Sequence, residues 1–191
     1  AINMDRATKS YRAGESIQIS ADVENISTVP WESDVEVAVP ALGVPLMAHV
    51  SLAPGATQTL NYPVTLVPAD IAEGSYPVTA TVQTDGYAKT DAFTIRAARL
   101  QLAADESGWE AGKDLSLSIV NTGGARTDWA CTMEASFAAE PAADAGTLMP
   151  LQTDNMQLAI PVATPGGQYH VKAQCQASGK TFYLARYVQV K

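Results

Sequence analysis

Two histidines, 20 carboxylates and two cysteines are the side chains of this 191-residue sequence best able to do chemistry. His49 lies in "LMAHVSL" and His170 in "YHVKAQC", alternating runs whose apolar residues take the other parity. Each imidazole therefore points outward alone, whereas a catalytic triad or a metal site needs ligands that converge. Asp22, Glu24, Asp34 and Glu36 share the outward parity of two strands. No Asp-x-Asp-x-Asp run accompanies them to supply the roughly six to eight oxygens that calcium takes, so a solvated acidic face is expected. No glycine loop of nucleotide-binding form follows a strand. These residues predict a chain that is not an enzyme and holds no cofactor and no metal.

The elements that position these side chains are strands. Strict apolar–polar alternation marks a strand with one buried face, because successive side chains leave on opposite sides. The sequence writes that pattern twice. Ile2 and Met4 correspond to Leu100 and Leu102, and Ile17, Ile19 and Ala21 to Leu115, Leu117 and Ile119, at an offset of 98. Val35, Val37 and Val39 match Trp129, Cys131 and Met133 at 94; Leu60, Tyr62, Val64 and Leu66 match Met156, Leu158, Ile160 and Val162 at 96. Tyr76, Val78, Ala80 and Val82 match Tyr169, Val171, Ala173 and Cys175 at 93, as do Ile95 and Ala97 with Val188 and Val190. The offsets drift only between strands, where insertions are tolerated. Within a strand, a slip of one residue would turn every apolar side chain into water.

The chain therefore reads as two copies of one unit, residues 1–97 and 98–191, each all-β with about seven short strands. Turn formers such as "PGA" (54–56), "TDG" (84–86), "NTGG" (121–124) and "ASG" (177–179) punctuate it. The segment "ASFAAEPAADAG" (135–146) has helix-friendly composition, but Pro141 interrupts it and no apolar stripe runs through it. At the junction, "FTIRAARLQLAAD" has no Gly, Pro or Ser run, so a stiff connection is expected.

Charge narrows the partners. The net of −8 leaves no basic face to displace counterions from phosphates, so nucleic acid is not expected. Residues 1–97 carry 5 basic and 11 acidic groups, residues 98–191 carry 7 and 9. With no run near 18 apolar residues, a membrane-spanning segment is not expected either. An opening Ala with no charged-then-apolar leader reads as a mature chain or a piece of a longer one.

Tyr11, Gly14 and Asn25 in the first unit, and Trp109, Gly112, Asn121 and Gly123 in the second, set out an aromatic, a Gly, an alternating strand and an Asn near a turn. With "LAPG" (Leu52–Gly55) and "GSYPVTATV" (Gly74–Val82), this pattern resembles the bacterial and archaeal immunoglobulin-like modules called cell-adhesion-related (CARDB-type) domains. Two departures stand out: Leu151 where Pro-Gly is expected, and Ser27 and Thr28 in place of the Gly turn. The resemblance implies two tandem immunoglobulin-like, fibronectin type III-like β-sandwiches. It also implies a secreted or cell-surface module that acts as spacer or adhesion element without catalysis.

In such a sandwich the third and sixth strands are neighbours. Cys131 and Cys175 stand on the buried parity of those strands, where the first unit has Val37 and Val82, so a disulfide is expected. The other reading is two free thiols packed as small hydrophobes. A bridge implies an oxidising compartment: extracellular, at the cell surface, or periplasmic. Trp129, Tyr76 and Tyr169 are expected in the cores, with Tyr11 and Trp109 capping them. Trp31, in the loop "TVPWES", and Tyr87, just past "TDG", belong to two connections that share one end of a sandwich. Exposed aromatics stack on sugars and anchor protein interfaces, so Trp31 and Tyr87 are the candidate binding residues for a glycan or a protein. The competing expectations are a passive rigid spacer, and a tip that contacts a preceding domain. The isolated chain is expected to be a monomer.

Overall fold

The computed structural model describes residues 1–43, 45–104 and 109–191, and none of these is helical. The chain divides into two compact units, Ala1–Arg96 and Ala97–Lys191. The first contains β1 (Ile2–Met4), β2 (Ser10–Tyr11), β3 (Ser16–Ile17), β4 (Ile19–Glu24), β5 (Trp31–Ala38), β6 (Leu46–Leu52), β7 (Thr57–Asn61), β8 (Thr65–Leu66), β9 (Gly74–Val82) and β10 (Ala88–Ile95). The second contains β11 (Leu100–Ala104), β12 (Asp114–Asn121), β13 (Thr127–Ala135), β14 (Ala142–Leu148), β15 (Thr153–Ala159), β16 (Gly167–Ala177) and β17 (Lys180–Val190).

Each unit is sandwich-like. In the first, one sheet runs β1-β4-β7, another runs β2-β10-β9-β5-β6, and β3 pairs with β8. In the second, β11-β12-β15 and β14-β13-β16-β17 repeat that order. The parallel strand β2, which sets Tyr11 beside Ile95, is reduced in the second unit to a single parallel bridge between Trp109 and Val190. Alternation does what the pattern requires: Leu115, Leu117 and Ile119 from one sheet meet Trp129, Cys131, Met133 and Val171 from the other in one core.

The structure corrects several expectations. Val64, Leu66 and Val162 are exposed (66%, 66% and 84%), although the alternation places them inside. Pro63 and Pro161 follow Tyr62 and Ile160, and proline has no N–H to continue a ladder. The phase resets after Pro63, and Val67 is buried instead. Past Pro141, where the sequence pattern assigns no element, pairing with β13 makes Ala142–Leu148 a strand. Tyr11 is fully buried rather than a cap, its ring edge-on to Phe93 at 5.9 Å and its hydroxyl donating to Asp5 Oδ1 at 2.6 Å.

Two local devices recur. Asn25 is buried and donates from Nδ2 to the carbonyls of Val29 and Leu52 (2.9 and 3.0 Å), while its Oδ1 accepts the Ser27 N–H at 3.0 Å. Asn121 does the same with Ala125, Leu148 and Gly123 (2.8, 3.2 and 2.9 Å). Near the start of β9 and β16, Tyr76 and Tyr169 each donate a hydroxyl to a carbonyl four residues upstream, Ala72 and Pro165, at 2.8 Å. Both rings are half-buried, Tyr76 stacked on Phe93 and Tyr169 edge-on to Phe137. Tyr76→Phe and Tyr169→Phe should each cost about 1 kcal/mol, the net worth of one such bond, read as a lowered melting midpoint of the affected unit.

Candidate functional site

Trp31 is not in a loop. It opens β5 opposite Leu52 and is half-buried. Tyr87 closes the turn after β9: its carbonyl accepts the Val82 N–H (2.8 Å), its N–H donates to Asp85 Oδ1 (2.9 Å), and its side chain is 64% exposed. The structure brings the two together, because both line one groove of about 700 Å³ at the end of the first unit. Val23 of β4, Val35 of β5, and Ala80 and Val82 of β9 also line it. Ile26, 89% exposed, stands beside them. This lining is mostly apolar, and the alternation rule alone placed Val35, Ala80 and Val82 in a closed core.

The second unit gives the comparison. The matched bonds of Asn25 and Asn121 fix the equivalence, so Val23 corresponds to Ile119 and Ser27 to Gly123. This is two residues away from the alignment by alternation, because the first unit breaks its strand at Gln18, between β3 and β4. Likewise, the contact between Ser33 and Thr84 matches that between Thr127 and Ser178, which sets Val35 on Trp129. In the second unit β11 runs along β12 to the end, with Leu102 opposite Ile119 and Leu100 opposite Asn121. Leu100 and Trp129 are buried there. In the first unit Ile2–Met4 pair with Ile19–Ala21, and the Ala1 N–H and carbonyl bond the carbonyl and N–H of Asp22. Val35 is much smaller than Trp129, so the groove of the first unit lies where the sister unit places an indole.

The remaining candidates do not gather. His49 is exposed, with Nδ1 3.0 Å from Asp34 Oδ1; His170 tilts against Tyr187, ring centroids 5.0 Å apart. Asp22 and Glu24 belong to the sheet of β4, and Asp34 and Glu36 to that of β5, so they do not form one acidic face. Among the described residues no three His, Cys, Asp or Glu are grouped to hold a metal ion. Cys131 and Cys175 are direct partners across β13 and β16, Cα atoms 4.0 Å apart, joined as a disulfide. Their equivalents in pairing are Val37 and Ala80, not Val37 and Val82, since Val82 pairs with Val35.

Three carboxylates of the first unit are held below their usual range. The Thr59 hydroxyl and the Asn3 amide donate to Asp22, and the Lys9 ammonium and the Ala92 N–H to Asp91. Burial pushes Glu15 up, but the Arg12 N–H and the Arg6 guanidinium outweigh it. A carboxylate depressed by folding contributes stability above its unfolded pKa and loses it as pH falls through the folded one. The first unit's melting midpoint should therefore fall by a few degrees as the pH is lowered below about 4. An unchanged midpoint between neutral pH and acid would contradict these bonds.

No family model matches the chain, and no curated protein matches it. Among solved structures it is similar to red sea bream transglutaminase, at 10% identity with a TM-score of 0.44. The similarity covers 100% of this chain and 31% of that one, so the chain spans under a third of that protein's length. Among the described residues no helix is long and apolar enough to cross a membrane.

Proposed function

We propose that the chain is a non-catalytic adhesion module of two immunoglobulin-like, fibronectin type III-like sandwiches, similar to CARDB-type domains, which recognises a partner through the first unit's groove. Two features support the immunoglobulin-like reading. The strand order recurs in both units, and so does a tyrosine near the start of β9 and β16 tied four residues upstream, as in the tyrosine corner of such folds. The disulfide supports an oxidising location, extracellular or periplasmic.

The observation that carries recognition is the groove of about 700 Å³ with Trp31 and Tyr87 on it. Recognition sites combine an apolar concavity with aromatic anchors, and Trp and Tyr dominate binding energy where they are desolvated. Titrating the chain with a glycan panel and with candidate peptides, read by tryptophan fluorescence, should identify ligands that Trp31→Ala weakens by about 30-fold or more. The melting midpoint of that variant should change little. Binding that survives Trp31→Ala would overturn the reading. So would a large loss of stability, which would show Trp31 to be core and leave a plain spacer.

A further inference from the structure

We infer that the second unit carries a glycan-binding face of its own: the outer side of its four-stranded sheet takes a neutral oligosaccharide across Gln174, Gln176 and Tyr183. This face is separate from the first unit's groove and does not depend on it. Along each strand every second side chain turns outward, and the pairing of β14, β13, β16 and β17 sets these in rows. One row is Ala145, Ala130, Gln176 and Thr181; the next is Ala143, Thr132, Gln174 and Tyr183. All are exposed. Alanines leave the sheet low on the β14 side, and the long amides of β16 rise beside them. Three adjoining hollows of about 440, 630 and 230 Å³ result. Ala130 and Gln176 line the first two, and Thr132 and Gln174 line the second and third. With strands about 4.8 Å apart, the rows run roughly 14 Å across the sheet, room for several linked sugar rings.

The chemistry of this lining selects the ligand. Each glutamine offers an acceptor oxygen and N–H donors, and each threonine a hydroxyl that does both, which matches sugar hydroxyls that also donate and accept. Tyr183 and Tyr187, 72% and 62% exposed, leave β17 on the same side, about 13 Å apart with Ala185 between them. Their rings offer flat apolar surface with a polar tip, which suits stacking against a sugar ring. Formal charge stands at the margins. Asp128, beyond the first row, accepts the Thr147 hydroxyl at 2.6 Å, and Glu134 faces Lys172 beyond the second. An anionic chain would need a cluster of cations here, and a protein partner a broader apolar centre. The sister unit holds other side chains at the same places. The match of Ser33 with Thr127 sets Glu36 on Ala130, and pairing then sets Met47 on Ala145, Thr81 on Gln176 and Thr90 on Tyr183. A carboxylate and a methionine stand over the sheet there, and a threonine replaces the ring. The face is therefore a property of the second unit's side chains and not of the shared fold.

The test uses the whole chain and four neutral sugars: cellohexaose, maltohexaose, mannohexaose and xylohexaose. Binding is read by NMR shifts of the backbone and glutamine side-chain amides. The inference predicts that at least one sugar gives saturable shifts gathered on Thr132, Gln174, Gln176 and Tyr183. Tyr183→Ala should weaken that binding by about tenfold or more, the loss of one stacked aromatic anchor. Gln174→Ala should weaken it by about fivefold, the worth of one hydrogen bond. Both side chains are exposed, so the melting midpoints should stay close to that of the parent. Trp31→Ala should leave this binding unchanged. No saturable shift from any of the four sugars overturns the inference, and so does binding that Tyr183→Ala leaves intact. Sugar shifts confined to Trp31 and Tyr87 would leave the recognition reading standing and sink this one. Shifts on the sheet face that grow with protein concentration alone would make it a contact between copies of the chain, which overturns the inference as well.

Discussion

Breaking the Cys131–Cys175 bridge should lower the stability of the second unit by about 4 kcal/mol and leave the unfolding of the first where it was. The magnitude follows from the chain-entropy account: a link across 44 positions removes that much loop-closure freedom from the unfolded chain. The bridge joins two β-strands already paired, so little else should change in the folded unit. The sister unit supplies the replacement, because it holds Val37 and Ala80 at the paired places. A Cys131→Val, Cys175→Ala double variant should fold, yet unfold at lower urea than the parent. The parent should gain two hydrogens in intact mass on reduction. A parent with no mass gain, or a double variant with an unmoved second transition, would contradict the expectation.

Gly123→Ala should be nearly as damaging, at about 3 kcal/mol or more. A methyl group there meets backbone atoms of Ala97, Ala98 and Arg99 rather than the end of a flexible side chain. Relief requires moving the segment that leads into β11, and with it Leu100, out of the core. The first unit offers the control. Ser27 already carries a side chain at the equivalent place, so Ser27→Ala should cost at most about 1 kcal/mol, from its bonds to Asn25 Oδ1 and the Val29 carbonyl. Chemical denaturation of the two variants side by side measures the contrast. Similar small losses in both would mean that the two turns have the same space above them.

Both predictions show where the sequence was readable. The all-β class follows from alternation, and β12, β13 and β16 run as their apolar residues dictate, because a buried face fixes register through every second side chain. Alternation says nothing about which pairs lie opposite, so it matches Val82 to Cys175 although Val82 faces Val35. Nor does alternation survive proline, which is why Val64 and Leu66 point the wrong way. β14 is not legible from alternation, because its Ala, Gly and Asp residues carry no strand signal; pairing with β13 makes it a strand. The two aromatics of the candidate site were legible as unmatched residues in matched loops. The groove between them was not. It depends on Val35 standing where the second unit has Trp129, which emerges only once bonds set the two units in register.

The central claim is that Trp31 and Tyr87 form a recognition site on the groove of the first unit. Calorimetric titration of the chain and of its Trp31→Ala variant with the same ligand, beside the melting curves of both, tests it most directly. The account predicts that the variant loses binding while its melting midpoint stays where it was. Undiminished binding by the variant, or a large fall in its midpoint, would contradict it.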